Sequence, residues 1–203
     1  MHIMSTSRAA LFLLLATPLA AQTHEHSTGA AAVAPTATVA PSADAKQAFA
    51  LIKSLAGRWQ ATFLYPATQK SIEMQTWLRV TSSGNSVIHE MKGAGDADEA
   101  PKDDHPVSMI YLDGADLLLT HYCDAGNRPR MVAHLSTDGK QVDFDLLDVA
   151  GPTARGHMQH ARFTFVDNDH HIEEWTYLMP NGKPMNVRLE LHRVETVATL
   201  PAK

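Results

Sequence analysis

Residues 119 to 131, LTHYCDAGNRPRM, crowd a histidine, a tyrosine, the chain's single cysteine, an asparagine and two arginines around one short turn. Three kinds of chemistry suit that set. As a ligand clamp, His121, Tyr122 and Arg130 receive the polar head of a largely apolar molecule, with Arg130 pairing a carboxylate if one is present. As a catalytic site, His121 acts as acid or base near its ordinary pKa of about 6.5, with Tyr122 or a Cys123 thiolate beside it. As a plain hairpin, Gly126 and Asn127 form the turn, Arg128 and Arg130 face solvent, and Cys123 is a small buried apolar side chain. A turn needs few hydrogen-bonding groups, so their number here favours the clamp.

Strand parity restricts these readings. Leu117, Leu119, His121 and Cys123 share one face of an extended segment, and Leu118, Thr120 and Tyr122 share the other. Either His121 or Tyr122 therefore looks inward, not both. Further along, His157, Gln159, Ala161, Phe163 and Phe165 alternate with Met158, His160, Arg162 and Thr164, and the phenylalanine face is the better core face. In 170–179, His171, Glu173, Trp175, Tyr177 and Met179 form a face with an aromatic pair and a polar end. Phe163, Trp175 and Tyr177 are the expected apolar wall of a binding site.

No metal site is expected. Neighbouring residues on a strand point apart, which separates the ligands that His170-His171 and Glu173-Glu174 would supply. The acidic stretch 93–105 lacks the order of an EF-hand and reads as a solvated rim loop. His24-Glu25-His26 reads as a polar stub.

The elements that must position these residues follow from hydrophobic period. Residues 44–56 carry Ala48, Leu51, Ile52 and Leu55 at helical spacing, with Gly57 as a stop. After that the period is two. Strands are expected near 58–65, 70–82, 86–93, 106–113, 116–123, 128–136, 140–149, 157–167, 170–179 and 184–194, separated by turn pairs such as Asp113-Gly114, Asp138-Gly139 and Asn181-Gly182. No helical stretch interrupts the series, so parallel crossovers are excluded. The expected fold is all-β: an antiparallel up-and-down barrel of about ten strands with one short N-terminal helix. Closure removes the long edges an open sheet would leave, and a barrel this wide exceeds what its own side chains fill. A cavity is the expected consequence.

The N-terminal segment has a different character. Arg8, the apolar run 9–16 and the small residues ending at Ala21 have the order of a secretory signal peptide, 1–21, with an apolar run too short to span a bilayer. Residues 22–45 are rich in Ala, Pro and Thr and read as a disordered tether, and 46–203 form the folded domain. A periplasmic or secreted location is expected, with no membrane insertion. A net charge of -5 provides no basic surface for nucleic acid.

A short helix leading into Gly57-Arg58-Trp59 on the first strand, followed by a meander of hairpins, resembles the calycin-type barrels, among them the fatty-acid-binding proteins, the nitrobindins and the lipocalins. That resemblance implies that Trp59 closes the barrel base and that Arg193 of LELHRVE packs across it. Ten strands resemble the fatty-acid-binding and nitrobindin branches more than the lipocalins. The nitrobindin branch would imply haem held by one histidine of the last strand, for which His192 is the candidate.

The expected function is an exported small-molecule-binding protein that carries a largely apolar ligand in its barrel. The alternatives are a barrel enzyme, a hydrolase or isomerase using His121 with Tyr122 or Cys123, a haem protein using His192, and an interaction module that docks a partner on its rim loop.

Overall fold

The computed structural model describes residues 40–65, 70–93 and 105–194. The signal peptide, residues 22–39 of the tether including His24-Glu25-His26, and residues 94–104 of the acidic loop lie outside the described residues. The helix, α1, spans Ala43–Ser54. Ser42 caps it by accepting the Ala45 amide proton at 3.1 Å, and Asp44 in the first turn and Lys53 in the last suit the helix dipole. It begins inside the stretch assigned to the tether. Ala45, Ala48, Phe49 and Ile52 form its buried stripe, which anchors that first turn against the barrel.

Ten strands follow: β1 (Gly57–Tyr65), β2 (Lys70–Thr81), β3 (Ser86–Gly93), β4 (Val107–Asp113), β5 (Asp116–Tyr122), β6 (Arg128–Leu135), β7 (Gln141–Ala150), β8 (His157–Phe165), β9 (His170–Leu178) and β10 (Pro184–Arg193). They form a closed antiparallel barrel in which each strand pairs with its neighbours in sequence and β10 returns to β1. This is the fold that the period-two patterning predicts. The hairpin chemistry is visible at Asp138-Gly139, where Gly139 adopts φ +68 and the Asp138 carboxylate accepts the Lys140 amide proton at 3.1 Å. Among the described residues no helix is long and apolar enough to cross a membrane.

One end of the barrel is sealed. The α1 stripe joins Trp59, Leu78, Ile110, Leu119, Phe144 and Leu191 in one continuous core. The Trp59 indole donates to the Leu55 carbonyl at 2.8 Å, and the Arg193 guanidinium lies 4.0 Å from the Trp59 ring centroid. Arg193 also donates to the Ala56 and Asn168 carbonyls, both at 2.9 Å, and so ties the last strand to the helix exit and to the β8–β9 turn. It passes so close to Gly57 that a Cβ there would meet its Nη1 at 2.6 Å, and Gly57 sits at φ +140. Only glycine fits both conditions.

Two irregularities re-aim side chains. Between Met158 and His160 the register of β8 against β9 shifts, leaving Gln159 as an extra residue. Simple alternation places Met158 on the solvent face with His160; the bulge turns Met158 inward and leaves Gln159 exposed. A second shift lies between Arg130 and Met131 on β6 against β7.

Candidate functional site

At the end opposite α1 no described residue fills the barrel. A cavity of about 340 Å³ opens there, walled by Phe63, Met74, Met91, Met158, Val187 and Leu189 from β1, β2, β3, β8 and β10. Such a volume lies at the lower end of small-molecule sites, roughly 300–1000 Å³. The floor is polar. His89 of β3, Ser108 of β4 and His121 of β5 stand in register across three adjacent strands, facing Trp175 of β9.

Beneath the floor lies Glu173, fully buried. His89 Nε2 is 3.1 Å from both carboxylate oxygens, His171 Nε2 is 3.0 Å from Oε1, and the Trp175 indole N–H donates to Oε2 at 3.0 Å. A carboxylate only accepts, so both histidines carry a proton on Nε2. Burial pushes the Glu173 carboxyl up. The charge on His89 and the hydrogen bonds from His171 and His89 outweigh it and hold the group well below the usual carboxylate range. The His171 ring stands edge-on to Trp59 at 4.2 Å, so the cluster rests directly on the sealed half of the barrel.

His121 has another environment. Its Nδ1 is 2.9 Å from Ser108 Oγ, and its ring lies 5.8 Å from Trp175. Burial, and then the charge on His89, lower its pKa to about 4. At neutral pH it is therefore an uncharged hydrogen-bonding group.

The rim is stitched by the β5–β6 turn. Asn127 is buried and donates to the Pro152 and Gly156 carbonyls at 2.9 and 2.7 Å, pinning the β7–β8 connection to the β5–β6 turn. Arg155 of that connection donates to the Asp124 carbonyl at 3.1 Å, and the Tyr177 hydroxyl donates to the Arg155 carbonyl at 2.8 Å. Cys123 lines the cavity beside Tyr177. Burial pushes its thiol up, with the Asp124 charge adding to the effect, so it is a poor source of thiolate.

Of the residues singled out from sequence, His121, Trp175 and Tyr177 line the cavity. Phe163 is fully buried one layer below, edge-on to His89 at 5.8 Å and to Trp175 at 5.9 Å, and supports the floor without lining it. Tyr122 and Arg130 are not brought to the cavity. Tyr122 is exposed, and Arg130 faces solvent in an ion pair with Asp148. Parity decides both: once His121 points in, Tyr122 points out, and Arg130 pairs with Thr120 on that same outer face.

His192 is also on the outside, stacked on His170 at 4.5 Å, among Gln60, Thr62, Glu190 and Arg193. Polar neighbours on an exposed strand face give a haem macrocycle no apolar slot, so these residues do not fit that group. Nor does the interior, whose cavity is too small for it. His170 and His171 diverge as parity requires, one to the surface stack and one to Glu173.

Sequence reading missed His89 and Ser108 as site residues. Their signal was a polar residue in an inward column, His89 between Val87 and Met91, and Ser108 before Ile110.

No family model and no curated protein sequence matches the chain. Among solved structures, a protein of unknown function from the DUF3598 family of Nostoc punctiforme PCC 73102 is similar, with TM-score 0.45 and 12% identity over 70% of this chain and 49% of that one. The chain thus spans about half the length of that protein.

Proposed function

We propose that this chain binds a small, largely apolar molecule in the open half of its barrel, with the polar end of the ligand on the floor formed by His89, Ser108 and His121. One observation carries the reading: an apolar-walled cavity of about 340 Å³ ends on buried, hydrogen-bonding side chains instead of continuing as packed core. Polar groups in an otherwise apolar site orient a ligand and select it. The experiment is a native mass spectrum of protein purified from its own compartment, followed by thermal denaturation with and without extractable small molecules. A retained small mass, or a ligand-dependent rise in Tm, supports the reading; a clean apo mass and an unmoved Tm across a broad lipid-like and aromatic panel count against it.

The location proposed with it is the exported compartment, on the strength of the signal-like order of residues 1–21. Intact mass of the mature chain tests this, with cleavage expected after Ala21.

A second reading, an enzyme built on the same floor, has one observation in its favour: the Glu173 carboxylate orients His89, which lines the cavity. Its acid–base group would be His89 and not Cys123 or Tyr122, since burial pushes the thiol up and the phenol lies outside. Chemical turnover of a bound ligand, followed by mass spectrometry, separates this from carriage.

A further inference from the structure

The floor beneath the cavity has a definite sense of charge. Glu173 is an ionised carboxylate with no access to solvent, and a buried charge needs a compensating one close by. Among the described residues only His89 and His171 contact it with ionisable groups, each through an Nε2–H. A second proton on one of them, at Nδ1, would supply that compensating charge.

The two Nδ1 atoms stand in different surroundings. That of His171 is buried and has no hydrogen-bond partner among the described residues, with the ring set against Trp59. A proton there would be an N–H sealed in the core without an acceptor, an arrangement native proteins avoid. His89 lines the cavity, and among the described residues its Nδ1 makes no hydrogen bond. A proton on that atom can meet whatever occupies the cavity. His121, the other histidine of the floor, is uncharged and engaged with Ser108.

We infer that the occupant of this cavity is an apolar molecule with an anionic head, seated so that the head accepts a hydrogen bond from His89 Nδ1–H while the body lies among Met74, Met91 and Leu189. The inference rests on the ligand-binding reading above and adds the charge and orientation of the ligand. A volume of about 340 Å³ holds roughly eleven non-hydrogen groups at the liquid-water share of about 30 Å³ each, so the body is short. The competing cation is Arg155 at the rim, beside Asp124. Arg155 sits in an exposed region and already donates to the Asp124 carbonyl, whereas His89 is desolvated, and an ionic hydrogen bond is stronger where water is excluded.

The test compares three probes of equal chain length, octanoate, 1-octanol and octylamine, by calorimetry and by the fluorescence of Trp175 at pH 7. Octanoate is expected to bind wild-type protein at least about tenfold more tightly than either of the others, the usual scale of a charge-assisted hydrogen bond. His89→Gln should bring octanoate down to the level of octanol. The double variant His89→Gln/Glu173→Gln, which removes both buried charges together, should do the same and guards against a single variant that fails to fold. Equal binding of octanoate and octanol by wild-type protein overturns the inference while leaving the cavity a ligand site. A preference that survives His89→Gln but collapses in Arg155→Gln also overturns it, placing the head at the rim. If none of the three probes binds, the ligand-binding reading fails and this inference fails with it.

Discussion

The two halves of this barrel are built from the same strands by the same alternation, yet one is solid and the other hollow. Near α1 the inward columns carry Trp59, Leu78, Ile110, Leu119 and Phe144, and the helix adds Phe49 and Ile52 as a plug. At the other end the inward columns carry Phe63, Met74, Met91, Met158 and Val187, and no described helix covers them. A ten-stranded barrel is too wide for its own side chains, so it becomes solid only where something else enters it. The hollow half is what remains. Between the two lies the Glu173 cluster, whose buried charge gives the core a polar lid and the cavity a polar floor. Methionine, unbranched and adaptable, supplies three of the cavity's walls, which suits a site that must accommodate a shape not its own.

The strongest way to break the comparison is to remove a side chain from the solid half. Phe144 is fully buried and edge-on to Phe163 at 5.9 Å. Phe144→Ala should cost roughly 3–5 kcal/mol of stability, measured by urea denaturation, through lost burial and the void left behind. If the solid half is as rigidly packed as its burial implies, that void will not collapse and the cost will fall at the upper end.

The boundary layer should reveal itself through pH. His121 is neutral in the folded protein down to about pH 4, whereas in the unfolded chain it takes up a proton near 6.5. The unfolded state then binds more protons between those values, so the contribution of His121 to stability is fully present above about pH 6.5 and is lost as pH falls toward about 4. The loss is about 3 kcal/mol over that span, at about 1.4 kcal/mol per pH unit. Glu173 acts in a lower window. Its folded pKa is depressed, so its contribution is present above the ordinary carboxylate value and erodes only as pH drops below it. Urea midpoints at a series of pH values should fall in two stages, and His121→Gln should flatten the upper stage while leaving the lower.

Most of this architecture is legible in the sequence, and the reasons it stops being so are physical. Period-two alternation and Asp-Gly or Asn-Gly pairs mark the strands because they depend on local backbone geometry, and Trp59 with Arg193 anchors the closed end. Local chemistry misled at LTHYCDAGNRPRM, where the density of polar types suggested one clamp. The barrel distributes them instead: His121 to the floor, Cys123 to the wall, Asn127 to the rim, and Tyr122 and Arg130 to solvent. The floor itself was hidden because its members lie far apart in the chain. His89 and Glu173 meet only across the closed barrel, 84 residues apart in sequence. Met158 was misplaced for another reason, since a bulge breaks the alternation on which parity depends.

A smaller effect is expected from the wall of the hollow half. Met91 is only partly buried and already faces open space on one side. Met91→Ala removes fewer contacts than a core truncation and should cost about 1 kcal/mol or less. It should also enlarge the cavity, shifting the preferred probe from octanoate toward longer acids. A cost equal to that of Phe144→Ala would mean that the two halves are packed alike and that the comparison is wrong.

The smallest effect is predicted at Tyr122 and Arg130. His121 and Tyr122 are neighbours in the chain, yet His121 is 5% exposed and Tyr122 is 49% exposed, because successive side chains of β5 face opposite sides of the barrel wall. Arg130, across from Thr120 on that outer face, is paired to Asp148 in solvent. Tyr122→Ala and Arg130→Gln should therefore leave both the urea midpoint and octanoate affinity unchanged within error, since exposed ion pairs and half-exposed phenols contribute little. His121→Gln, one residue away, should move both. A loss of ligand affinity in Arg130→Gln would mean that the occupant reaches over the wall to the outer face, and the floor of the hollow half would no longer be where its head is read.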